Sequence, residues 1–197
     1  MLQRLADRIS HILVSSGAAS EGDREIMAFG WYRILSNILQ YGILLASSLM
    51  LGIASEIMAY TCMFALLKRY AGGAHAQNPT VCLVLTSALP YISYGSCRLV
   101  PAFVSPYAAM GLSLITLGII LLRAPVAHPK NPKKPGRLKK LRKASVRIAS
   151  AQSALIALCV WLLPDRAMLY VLCGAAGGLS AGVSLLLPNR VKGGEVA

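Results

Sequence analysis

The chain has 197 residues, of which 56% are apolar and only 14% charged, and its mean hydropathy is +0.60. Twenty Lys and Arg against seven Asp and Glu give a formal charge of +13, and the charges are bunched so that long stretches carry none. Polar surface this scarce does not cover a water-soluble globule, which excludes a soluble enzyme or binding domain and leaves an all-α, polytopic membrane protein.

Residues 1–33 hold four basic and four acidic residues and no long apolar run, which does not fit a signal peptide. Leu2, Leu5, Ile9, Ile12 and Leu13 recur at helical spacing, with Arg4, Asp7, Arg8 and His11 on other faces. The pattern predicts an amphipathic, interfacial region over residues 1–30 lying on the inner membrane surface. Ser20 with Asp23 reads as a capping box that starts a second helix.

Uncharged windows then follow: 22 residues between Arg33 and Glu56, 24 between Arg98 and Arg123, 17 between Arg147 and Asp165, and 23 between Arg166 and Arg190. A bilayer core of about 30 Å takes roughly 20 helical residues, so each can cross it. Ile57–Leu67 offers only 11 uncharged residues, which must borrow from their neighbours, tilt, or fail to span. Tyr70–Cys97 is uncharged over 28 residues but opens on glycines, and its spanning part is expected from Pro79 to Ser96. Six crossings are expected. With the N-terminus inside, they leave 18 of the 20 basic residues on the inner side and only Arg98 and Arg166 outside, so that both termini are cytoplasmic.

Ionisable groups are nearly absent from the spans, with Glu56 before the second and Asp165 in a tight turn beside Pro164. A proton pump, a carboxylate metal site or a metal-dependent head-group transferase has almost nothing to work with, so no metal is expected. No Walker-type loop appears, and no cofactor is expected. The cysteines Cys62, Cys97, Cys159 and Cys173 lie in or at the ends of apolar segments, where a thiol behaves as a small hydrophobe.

One segment stands apart: Lys68-Arg69-Tyr70-Ala71-Gly72-Gly73-Ala74-His75-Ala76-Gln77-Asn78-Pro79-Thr80-Val81-Cys82. It joins a basic pair, a Gly-Gly hinge, a His, an Asn-Pro helix start and a Cys in the opening turn. Asn78 fits an N-cap and Pro79 the first helical position. A cysteine in such a turn gains thiolate character from free N–H groups and the helix dipole. His75 and Cys82 are seven residues apart, about 10.5 Å along an unbroken helix, too far for proton transfer. Folded back over the helix start, the imidazole could reach the sulfur at about 3 Å and act as its base. Spacing alone leaves open a capping His and a packing Cys.

Tyr70-Ala71-Gly72-Gly73-Ala74-His75-Ala76 followed by Cys82 resembles the catalytic segment of the accessory gene regulator B (AgrB) family of bacterial membrane peptidases. Ser20-Glu21-Gly22-Asp23-Arg24-Glu25-Ile26 with Phe29-Gly30 resembles its N-terminal stretch. Arg123-Ala124-Pro125-Val126, leading into Pro129-Lys130-Asn131-Pro132-Lys133-Lys134-Pro135, resembles its central Ala-Pro and basic loop. The resemblance implies a single membrane peptidase domain over residues 1–197, in a bacterial cell membrane, that processes a quorum-sensing peptide precursor. It implies Cys82 as nucleophile and His75 as base, a thioester acyl-enzyme, and capture by a Cys or Ser of the precursor to close a thiolactone or lactone. Gly73, Lys68 and Arg69 are supporting candidates, and the third orienting residue stays open between Gln77 and Asn78. The implied partner is a short precursor with an amphipathic helix and an acidic C-terminal tail. The rival reading is a non-enzymatic transporter subunit or partner-binding scaffold in which Cys82 only packs.

Residues 123–147 carry ten basic residues and no acidic one, which reads as a cytoplasmic loop facing membrane lipids, with a further role in steering an acidic tail. The loop has no aromatic residue to stack on a base, so nucleic acid is not an expected partner. In the last span Gly174, Gly178 and Gly182 make one small face, suited to packing within the chain or to a homodimer contact.

Overall fold

The computed structural model describes residues 2–73, 79–126 and 135–187. Among them the chain is helical throughout, with no strand. It divides into two compact units, Met1–Leu51 and Gly52–Ala197.

In the first unit, α1 (Leu2–Ser15) packs on α2 (Arg24–Met50). The buried residues of α1 are the small Ala6 and Ser10, at the edge of the apolar stripe, with the Ser10 hydroxyl donating to the Ala6 carbonyl at 2.9 Å. Small side chains let two helices approach closely, and the bulky Leu5 and Ile12 of the stripe stay 47% and 63% exposed. The expected capping box takes another form. The Ser20 hydroxyl donates to the Asp23 carboxylate at 2.8 Å instead of accepting a backbone N–H, and a single 3-10 turn, Glu21–Asp23, precedes α2. A carboxylate is the stronger partner for a hydroxyl, and it lies within reach.

The second unit holds α3 (Ala54–Ala71), α4 (Pro79–Arg98), α5 (Ser105–Arg123), α6 (Pro135–Leu162) and α7 (Met168–Leu186). The centre is α7, which contacts the other four and has eleven of its 19 residues buried. Its glycines make this possible, but not as one seam. Gly174 faces Ala59 and Met63 of α3, Gly178 faces Thr116 of α5 and Gln152 of α6, and Gly182 faces Ile119 of α5. The tightest approach is one residue off that face, at Gly177, where a Cβ would run into the Tyr60 backbone, with the carbonyl carbon at 2.9 Å. Gly177→Ala should therefore destabilise the bundle by about 1–3 kcal/mol or more. Thermal unfolding in detergent should fall by several degrees, whereas Gly111→Ala, with nothing within 4 Å, should not lower it.

Two apolar clusters mark the two ends of this unit. Leu67 and Ala71 of α3, Ile120 and Ala124 at the end of α5, Ala149 of α6, and Ala181 and Leu185 of α7 form one. Cys97 of α4, Ala109 of α5, Ile156 of α6 and Met168 to Ala175 of α7 form the other. Successive helices thus run in opposite directions, and α4, whose Cys97 lies in the second cluster, opens about 27 Å away at the end marked by the first. Between the clusters the Gln152 amide of α6, buried, donates to the Met63 carbonyl of α3 at 3.0 Å.

Among the described residues three helices are long and apolar enough to cross a membrane: Ser105–Arg123, Gly136–Leu162 and Met168–Leu186. The expectation of six meets three by this measure: α2 and α3, though 27 and 18 residues long, carry more polar side chains, and in the 20-residue α4 the side chains of residues 79, 80 and 82 lie outside the described residues. Ser36, Asn37, Gln40, Ser47 and Ser48 dilute α2, and Glu56, Lys68 and Arg69 bound α3. The short second segment does borrow from its neighbours, since α3 runs from Ala54 to Ala71. The basic stretch 123–147 is a loop only in part. From Pro135 it is helix, continuous with the apolar half of α6, because proline suits the first helical position and the Leu, Lys and Arg that follow are good helix formers. Leu138, Leu141, Ser145 and Ala149 turn inward, while Arg137, Lys139, Lys140, Arg142, Lys143 and Arg147 are exposed.

Candidate functional site

The helix α3 ends at Ala71 because Gly72 takes the left-handed region (φ +80°) and donates its N–H to the Lys68 carbonyl at 3.1 Å. Gly73 follows at φ +107°. The pair is docked on both sides rather than hinged. The Val126 N–H donates to the Ala71 carbonyl at 3.1 Å, and Gly72 and Val126 form an isolated parallel bridge. On the other side Ser184 of α7 fills the space a Cβ on Gly73 would need, its carbonyl oxygen 3.0 Å from that position. Lys68 of α3 reaches to α7 and donates from Nζ to Ser184 Oγ at 2.8 Å.

The end of α3, the segment after α5 and the end of α7 therefore meet at one end of the unit, and α4 opens at that same end. Pro79 is its first residue, as expected, and Cys82 its fourth. His75, Gln77 and Asn78 lie outside the described residues, as does the side chain of Cys82. Of the supporting candidates, Lys68 and Gly73 come together against Ser184, whereas Arg69 is exposed on the helix surface. His11 is exposed and His128 lies outside the described residues. Cys62, Cys97, Cys159 and Cys173 are free thiols.

The electrostatics of this end follow from the sequence. No Asp or Glu occurs between Glu56 and Asp165, and both of these stand at helix starts at the opposite end, in α3 and before α7. Lys68, Arg69, Arg123 and the six cations of α6 share the site's end. An anionic segment approaching it meets no carboxylate of these helices.

Sequence reasoning missed Ser184, the pairing of Ala71 with Val126, and Gln152. Only Gln152 had a signal, as the lone amide in the uncharged half of α6. Nothing around Ser184 in sequence distinguishes it from the other serines.

Three apolar helices packed with two more into a bundle, with one strongly basic end, define a helical membrane protein. The chain belongs to the accessory gene regulator B (AgrB) family, whose family model matches residues 6–185. It is similar to an AgrB-like protein of Clostridium perfringens (strain SM101 / Type A), 23% identical over 190 residues, covering 89% of this chain and 88% of the relative. A second relative, AgrB-like protein 2 of Clostridium perfringens (strain 13 / Type A), is 24% identical over 194 residues with the same shares. No solved structure matches. Family membership ties the chain to quorum-sensing peptide processing.

Proposed function

We propose that the chain is a membrane cysteine endopeptidase that removes the C-terminal tail of a short autoinducing-peptide precursor. The observation that carries this reading is the opening of α4 at Pro79, which puts the backbone of Cys82 in a helix's first turn at the end where Lys68, Gly73 and Ser184 meet. Free N–H groups there favour an anionic sulfur. Cys82 attacks the carbonyl of the scissile peptide bond after giving its proton to His75. The imidazolium then protonates the leaving amine of the tail, and the C–N bond breaks to leave a thioester. A Cys or Ser of the precursor attacks that thioester, regenerating the Cys82 thiol and closing a thiolactone or lactone. A thioester-to-thiolactone exchange nearly conserves bond energy, so the ring closes without ATP.

In this reading six helices, α2 to α7, cross a bacterial cell membrane with both termini cytoplasmic, and α1 lies on the inner surface with Leu5 and Ile12 toward the lipid. The basic end then faces the cytoplasm, as positive charge outside a bilayer core does. It receives the precursor's acidic tail, and its exposed cations also meet anionic lipid head groups.

A reactive thiol tests the reading without a precursor. With the full chain in sealed, right-side-out membranes, N-ethylmaleimide at neutral pH should modify Cys82 faster than Cys62, Cys97, Cys159 or Cys173, as read by mass spectrometry of the digested protein. A membrane-impermeant maleimide added outside should leave Cys82 unmodified. Even labelling of all five cysteines would favour a packing role, and rapid labelling by the impermeant reagent would invert the topology.

A further inference from the structure

The Lys68 side chain poses a question that the Cys–His pair does not answer. A lysine has a flexible four-carbon stem and much rotamer freedom to lose, yet here the ammonium is held. Its acceptor, Ser184 Oγ, in turn donates to the Ala181 carbonyl at 2.6 Å, so the hydroxyl proton is committed and a lone pair is left for the ammonium. The result is a directed chain, Lys68 N–H to Ser184 O–H to Ala181 C=O, in which each bond polarises the next.

The same serine abuts the Gly73 backbone, where its carbonyl carbon and oxygen lie 3.1 and 3.0 Å from the place of a Cβ. The Lys68 carbonyl meanwhile holds the Gly72 N–H. Ser184 therefore touches both ends of the stretch from Lys68 to Gly73. His75 follows Gly73 by two residues, and two residues of chain reach about 7 Å at most. Where Gly73 is held bounds where an imidazole two residues on can act.

We propose that Ser184 is a positioning residue of the peptidase site: through Lys68 and Gly73 it fixes the stretch that delivers His75 to Cys82. The inference rests on the cysteine-peptidase reading. It adds a residue 102 positions from Cys82, on a different helix, which carries out no chemistry itself.

The experiment measures the rate at which N-ethylmaleimide modifies Cys82 in the full chain in membranes, with exposed Cys62 as the internal control of fold. Ser184→Ala and Lys68→Met should each slow Cys82 labelling about tenfold, the loss expected for one hydrogen bond to a charged group, while Cys62 labelling is unchanged. The double variant should lose less than the product of the two single losses, because both remove the Lys68–Ser184 hydrogen bond. Ser184→Thr, which keeps the hydroxyl and its bond back along the helix, should stay within about threefold of the unsubstituted chain. His75→Ala should slow labelling at least as much. Wild-type labelling in Ser184→Ala, equal losses in Ser184→Ala and Ser184→Thr, or losses that multiply in the double variant would each overturn the role of Ser184 while leaving the peptidase reading intact. Wild-type labelling in His75→Ala would overturn both.

Discussion

Replacing Cys82 with alanine should abolish release of the precursor's tail, and replacing His75 with alanine should do the same. Each variant is co-expressed with a precursor tagged at its N-terminus, and the uncleaved and cleaved forms are separated by mass. Without the sulfur no thioester forms, and what remains is positioning of the peptide against the basic end. In enzymes whose nucleophile and base act as a unit, removing either costs about as much as removing both, on the order of 10⁴-fold or more. The double variant should therefore be no slower than the singles. Membrane levels should not change, because Cys82 lies in a first turn and alanine is a good helix former. Tail release at the normal rate by either variant would show that the pair is wrongly assigned.

Gly73→Ala should lower tail release about a hundredfold while the chain still inserts. Two effects combine at this position. At φ +107° an L side chain is strained, at a cost of about 1–3 kcal/mol. The new methyl also meets Ser184, whose Oγ lies 2.5 Å from its place, so the Lys68–Ser184 contact or the Gly73 backbone has to give. Either movement shifts the residues leading to His75, and a displacement of about 1 Å can cost a hundredfold in rate. Gly118→Ala on α5, with nothing within 4 Å and an ordinary helical backbone, is the control. It should cleave normally and stabilise its helix by up to about 1 kcal/mol. A Gly73→Ala protein that cleaved like the control would mean that the docked Gly-Gly pair is incidental to activity.

What could be read in advance follows the range of the interactions involved. The uncharged windows anticipated α5, α6 and α7 because hydropathy is a property of the local chain. Pro79 marked the start of α4 for the same reason, since a proline's fixed φ and missing N–H need no partner. Ser184 stayed hidden because its meaning lies in a lysine 116 residues away. Gly177 was hidden by a regular pattern beside it: the four-residue spacing of Gly174, Gly178 and Gly182 drew the eye, yet the closest backbone crossing falls one residue off that face. The helical half of the basic stretch was obscured in another way, because a run of like charge suggests a solvated loop while its Leu138, Leu141, Ser145 and Ala149 keep an inward face. The catalytic pair was legible only through its motif, and spacing alone left His75 and Cys82 with an ordinary structural alternative.

The Gln152 amide has a mechanical consequence. A helix packed only through apolar side chains can ratchet along its neighbour by a turn, about 5.4 Å, and recover much of its contact. Here such a slip would strip the amide from the Met63 carbonyl and strand a donor in a medium with no water to receive it, which costs several kcal/mol. The hydrogen bond thus works as a detent that sets the draught at which α6 rides. Since α6 is one continuous rod from Pro135 to Leu162, that single notch also fixes how high its six cations stand above the lipid.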